Sequence, residues 1–244
     1  MGKNKTGKYF KYAIGEIVLV VIGILIALSI NNWNESRKAK EKENNLFANL
    51  EIDFDNRLFE LKEMQSAKNQ SISAIAELNT IIANKENRPK DSLIDYLLSR
   101  TVNGYKFNED FKMLDVVFNT GLINDVKNEE LKRHLIEWPQ KVEEMLEEQR
   151  MHNELIDTRL VPFYSKYVSI RNIYEKFDFR KYNLPSGLEV SLSKNYFGML
   201  SDPLFENFMA ESEMLMRVSI VDIQTLISSA EEITELIRKE LKNK

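Results

Sequence analysis

One apolar run constrains this chain more than anything else in it. Residues 13–30, AIGEIVLVVIGILIALSI, are 18 in number, and Glu16 is the only charged one among them. As a helix the run would rise ~27 Å, close to the hydrocarbon thickness of a bilayer. Tyr9, Phe10 and Tyr12 stand before it and Trp33 after it, where amphipathic rings settle at headgroup depth. The sequence therefore predicts a basic tail over 1–12, a single transmembrane helix over 13–30 and a soluble domain over 31–244. Lipid is the first partner it implies.

The basic residues around the run nearly balance. Lys3, Lys5, Lys8 and Lys11 precede it, and Arg37, Lys38, Lys40 and Lys42 follow. A short basic leader favours a cytoplasmic N-terminus, because long C-terminal domains translocate largely regardless of charge. Ala27-Leu28-Ser29 has the small-x-small form of a signal-peptidase site, but the helical pattern runs on past Ser29 without a breaker, which favours a retained anchor. The opening Met1-Gly2-Lys3-Asn4-Lys5-Thr6 also fits a myristoylation pattern, one with meaning only in eukaryotes.

Beyond the run the chain reads as helix. Eight glycines and five prolines in 244 residues are too few for a strand-and-turn fold. Of 34 basic and 38 acidic residues, four and one lie before Ile30, which leaves 30 and 37 and a net of −7 for the rest. Such an acidic domain is a poor ligand for phosphate backbones, so nucleic acid is excluded as a partner. With no cysteine there are no disulfides and no thiol chemistry, and the redox compartment stays open.

From Glu35 to about Asn84 no proline or glycine intervenes. Phe47, Leu50, Phe54, Leu58, Leu61, Ile72, Ile75 and Ile82 recur at helical steps there, an amphipathic stripe continuous with the membrane helix. A turn is expected at 85–90, a short helix at 91–100 and a second turn at Asn103-Gly104. Asn108 should cap a helix that Gly121 ends, with Glu109 and Asp110 in its first turn. Asn128 should cap another, which Pro139 and Pro162 should each kink or break. Residues 177–194 look least regular. Asp202 and Pro203 should start a long final helix, with Phe205, Phe208, Leu215, Ile223, Leu226, Ala230, Ile233 and Ile237 on its apolar side. The fold class expected is all-α: a membrane helix continuing into an elongated antiparallel helical bundle.

Catalytic chemistry finds no foothold in the pattern. Di-iron bundles need Glu-x-x-His, but Leu131 and Gln149 stand three residues before His134 and His152. Met199, Met209, Met214 and Met216 are soft potential ligands, more simply read as core filling. The acid-rich run 143–148 reads as a solvated helix face. Some rings of Phe163, Tyr164, Tyr167, Tyr174, Phe177, Phe179 and Tyr182 must be core, and the excess could form a binding surface. No catalytic triad, phosphate loop, metal site or cofactor site is predicted, so the chain reads as a non-enzyme.

The membrane helix carries the residues of interest. Glu16, Val20, Gly23, Ala27 and Ile30 follow steps of four, three, four and three and so share a face. Gly23 and Ala27 form a small-x-x-x-small pair that lets two helices approach closely. Glu16 is an intramembrane carboxylate, expensive in lipid and by default a functional residue, although near a helix N-terminus it is also stabilised by the dipole.

Tyr12 to Lys38, YAIGEIVLVVIGILIALSINNWNESRK, resembles the opening of an uncharacterised family of single-pass envelope proteins of Gram-negative bacteria, known only as a domain of unknown function. The resemblance includes Gly15-Glu16 and Asn31-Asn32-Trp33-Asn34. It is looser at 119–123 and 128–131. It implies an inner-membrane anchor with a periplasmic helical domain and supplies no activity. Three functional readings follow. The first is a scaffold or accessory subunit that self-associates or docks onto an envelope partner. The second is a transducing subunit driven by proton-motive force, with Glu16 working in a multi-span partner. The third is a ligand-sensing periplasmic bundle.

Overall fold

The computed structural model describes residues 6–84, 89–104, 107, 111–177 and 194–242. Its first element, α1, is one helix of 78 residues, Thr6–Ala83, ~117 Å long. It is this long because nothing stops it: no glycine or proline occurs between Gly23 and Pro89. An 18-residue window near its start has a mean hydropathy of 2.8 with none of it buried, so this helix is long and apolar enough to cross a membrane. From Tyr9 to Lys42 every residue but Asn34 is exposed, and the first buried side chain is Leu46.

The remaining elements fold onto the far part of α1. They are α2 (Asp91–Thr101), α3 (Lys112–Asn119), a 3-10 turn (Leu122–Asp125), α4 (Glu129–Leu155), α5 (Val161–Tyr164), α6 (Ile170–Tyr174), α7 (Tyr196–Leu200) and α8 (Pro203–Lys242). No strand occurs among the described residues. The chain is an all-α bundle with a protruding apolar helix.

The start and stop signals act where the sequence places them, with two exceptions. Asn128 caps α4 by accepting from the Leu131 amide at 3.1 Å. Asp202 accepts from the Leu204 amide at 2.9 Å and opens α8. Gly121, at φ +76°, takes the left-handed position just after α3, where a side chain would be strained. The start of α3 is the first exception: the helix begins at Lys112 with Phe111 ahead of it, and the expected cap at Asn108 lies outside the described residues. The second exception is Pro139, which does not break its helix. Pro139 sits inside α4, where fully buried Leu135 and Trp138 precede it and Val142 follows. That packing outweighs the ~3 kcal/mol a mid-helix proline costs. Pro162 follows a π turn, Ile156–Leu160, and falls in the first positions of α5, where its missing N–H is no loss. The irregular stretch expected at 177–194 falls mostly outside the described residues.

The long helices α1 and α8 pack antiparallel, as their stripes predict. Arg238 near the end of α8 pairs with Glu51 at 2.6 Å and Asp55 at 2.8 Å, whereas Lys62 meets Glu231 and Gln65 meets Gln224 further along. The C-terminal end of α8 thus returns towards the apolar part of α1. Against this pair lies α4, whose Trp138 is fully buried, edge-on to Phe54 at 4.9 Å and to Phe111 at 5.7 Å.

The core is divided in two. A cluster nearer the apolar part of α1 joins Leu46 to Met64 of α1, Leu131 to Leu146 of α4 and Ile223 to Ile237 of α8. A distal cluster joins Ala74 to Leu78, α2, Leu155 to Ile173 and Tyr196 to Met216.

Candidate functional site

The residues singled out on the membrane helix all lie on the exposed part of α1. Glu16, Val20, Gly23, Ala27 and Ile30 project into open surroundings, and a Cβ added at Gly23 would meet nothing within 4 Å. One α-helix carries all five, so their three-and-four spacing does place them along one side. The aromatics frame them. Tyr12 and Trp33 stand ~32 Å apart along the axis, with Tyr9 and Phe10 one turn further out. All four rings are largely exposed, and the Arg37 guanidinium lies 5.6 Å from the Trp33 ring centre.

A second polar feature sits at the waist of the bundle, where the two cores meet. In each long helix the step from one core to the other is taken by polar residues: Lys68 and Ser71 in α1, Gln149 and His152 in α4, Ser219 in α8. His152 Nε2 lies 3.1 Å from Ser212 Oγ. Ser71 donates to the Arg100 carbonyl at 2.7 Å. Lys68 is only 6 % exposed; burial pulls its ammonium down to about 8, partly offset by the Glu148 carboxylate. Burial, reinforced by the neighbouring Lys68 charge, lowers His152 to about 4. At neutral pH the imidazole is therefore uncharged. Gln149 Oε1 and Ser219 Oγ are buried without a hydrogen-bond partner among the described residues. Sequence reasoning missed this layer. Its signal was Lys68 standing at a helical step between Leu61 and Ile75 in an otherwise apolar stripe.

At the distal tip a cavity of about 430 Å³ opens between the end of α1, the start of α2, α7 and the start of α8, with Ile81, Ile82, Ile94, Phe197 and Leu200 among its walls. Beside it Asp95, 2 % exposed, accepts a hydrogen bond from Tyr196 and lies 3.7 Å from Lys194 Nζ. This carboxylate is held on two sides, which suits a clasp between α2 and α7 better than a reacting group.

The other sequence candidates resolve into packing. Met199, Met209 and Met216 are buried and Met214 is exposed. Phe163 meets Tyr164, Tyr167, Phe205 and Phe208 in the distal core, and Tyr164 shares a buried hydrogen bond of 2.8 Å with Thr101. Tyr174 meets Phe177 at a tilt of 54° near the surface, whereas Phe179 and Tyr182 lie outside the described residues. His134 and His152, both buried, are five turns apart on α4 and cannot share a metal. Among the described residues no three His, Cys, Asp or Glu side chains are grouped to hold one.

Residues 16–93 match the model of a family of unknown function (DUF6090). The DUF6090 stretch begins at Glu16 and takes in the whole small-residue face, Trp33, Lys68 and the opening of α2, so it follows α1 rather than the entire bundle. No curated protein and no solved structure matches the chain.

Proposed function

We propose that this protein is a non-enzymatic, membrane-anchored helical scaffold or accessory subunit of a bacterial envelope complex. Its N-terminus lies in the cytoplasm, its apolar helix in the inner membrane and its bundle in the periplasm. The observation that carries this reading is the continuity of α1. One unbroken helix joins an apolar span with no partner of its own to the deepest layer of the bundle core. Between Ile30 and Leu46 it crosses ~24 Å as an exposed stalk. Such a rod holds the bundle at a set distance from the bilayer, which is what a scaffold needs. An unpartnered intramembrane carboxylate favours association of the span, because acids in membranes turn towards other helices or water.

The test is purification of the full chain from native membranes in mild detergent. A stable assembly, of copies of this chain or with an envelope protein, is the expected result. A lone monomer with no copurifying protein would sink the proposal. The same continuity supports a second reading, force transduction. A change of protonation at Glu16 that tilted the span would move Phe47 and Phe54 on the same rod. Under that reading Glu16→Gln abolishes function with assembly intact; under the scaffold reading it does not.

A further inference from the structure

Exposed cations behave differently on the bundle and on the stalk. On the bundle, Lys62, Arg159, Arg217 and Arg238 each meet a carboxylate within 2.8 Å. On the first turns of the stalk, Arg37, Lys38, Lys40 and Lys42 are also exposed, and none has a carboxylate in ion-pair contact among the described residues. Acids are at hand, in Glu35, Glu41 and Glu43. Glu41 stands four residues beyond Arg37, the spacing of an ordinary helical ion pair, yet the guanidinium turns the other way.

It turns back towards the apolar span. Arg37 Cζ lies 5.6 Å from the Trp33 ring centre, and Nη2 donates to Asn34 Oδ1 at 3.5 Å. The headgroup layer on each side of a bilayer is ~5–8 Å deep. In the anchored arrangement Trp33, ~4.5 Å of rise beyond Ile30, stands within that layer. The Arg37 backbone, ~10 Å beyond Ile30, has already left it. Its contact with Trp33 brings the charge back down to headgroup depth. Trp33, Arg37 and Lys40 follow steps of four and three, so Lys40 adds a second free cation on the same side of the helix.

We propose that Trp33, Arg37 and Lys40 form a site for the phosphate of an anionic phospholipid in the leaflet at that end of the span. The proposal rests on the anchored reading and deepens it by naming the lipid chemistry that seats the stalk. A guanidinium lying over an aromatic ring uses its face there and leaves edge N–H donors for a phosphate, which its fork matches. Position selects a lipid over a soluble acidic partner. A protein would have to enter the headgroup layer to reach this guanidinium, whereas a phosphate is already there. Charge selects the class of lipid. A zwitterionic headgroup carries its own ammonium beside the phosphate, but an anionic one leaves a net charge for Arg37 and for the field of Lys38, Lys40 and Lys42.

The test uses the full chain in phosphatidylcholine vesicles and reads Trp33 fluorescence. The only other tryptophan, Trp138, is fully buried in the bundle and supplies a constant background. The quencher is a nitroxide high on the acyl chain of either phosphatidylglycerol or phosphatidylcholine. Wild-type Trp33 should be quenched several-fold more strongly by the labelled phosphatidylglycerol. Arg37→Gln combined with Lys40→Gln should bring the two lipids close to parity, with the melting temperature unchanged. Arg37→Lys keeps the charge but loses the fork, so it should fall between. Lys90→Gln, at the distal end of the bundle, should match the wild type. Equal quenching by the two lipids in the wild type would overturn the proposal, and so would Arg37→Lys matching the wild type, because diffuse attraction alone would then suffice. A preference abolished by inorganic phosphate, at an ionic strength matched with chloride, would replace the lipid by the free ion. Quenching without preference leaves the anchored reading standing. No quenching by either lipid would put Trp33 outside the bilayer and remove both.

Discussion

Lys68 stands in an environment at odds with its chemistry. A lysine only 6 % exposed, with no carboxylate in ion-pair contact among the described residues, is held charged at neutral pH against its desolvation. A shift from 10.5 to about 8 corresponds to roughly 3 kcal/mol. Its sign is destabilising below pH 8, because the unfolded chain keeps the proton more readily than the folded one. Stability therefore rises as pH climbs from 8 through 10.5. Replacing Lys68 with Met should raise the melting temperature at pH 7, with the gain shrinking across that window; a gain constant with pH would mean the charge is not the cause. His152 acts at the acid end. With its folded value near 4 and the ordinary 6.5 when unfolded, the wild-type protein loses stability as pH falls from 6.5 to 4. In His152→Gln the drop in melting temperature between pH 7 and 4.5 should be smaller, as scanning calorimetry would record. An identical drop would place the acid sensitivity elsewhere.

Among the elements, α1 divides its aromatic side chains by function, and two neighbours show the contrast. Phe54 is buried edge-on against Trp138, so Phe54→Ala should cost about 3–5 kcal/mol in chemical denaturation. Phe59, five residues on and 70 % exposed, should give Phe59→Ala a change within about 0.5 kcal/mol. Comparable losses for the two would show that the outward side of α1 is part of the core. Much of this was legible in the sequence. The absence of glycine and proline from 24 to 83 wrote α1 as one helix, and the stripe from Phe47 to Ile75 told which side would be covered. Asn128 and the Asp202-Pro203 pair announced their helices by local hydrogen bonding alone. What the sequence hid depended on tertiary context. Pro139 reads as a break until Trp138 and Leu135 clamp the helix around it. Lys68 reads as a solvated lysine until α4 and α8 close over it. The candidate membrane face is a periodicity on one helix and needs no partner to be read, whereas the cavity beside Asp95 joins residues from four segments and has no linear signature.

For the whole molecule the first question is where the bundle stands. Under the proposed orientation, protease added to spheroplasts should digest the chain beyond Trp33, and immunoblotting should find only the membrane-protected stub. Protection until the inner membrane is broken would reverse the orientation. The pairing of α1 with α8 has a consequence in time. Arg238 and Glu51 are 187 residues apart in the chain, and the core that joins Leu46–Met64 to α4 and α8 cannot close before α8 exists. At ~5–20 residues per second, α1 waits on the order of ten to forty seconds between its own synthesis and the arrival of its cover. During that wait Phe47, Leu50 and Phe54 lie without their α8 cover. The part of the protein made first is thus the part completed last. A chain cut short before α8 would keep that stripe bare to water.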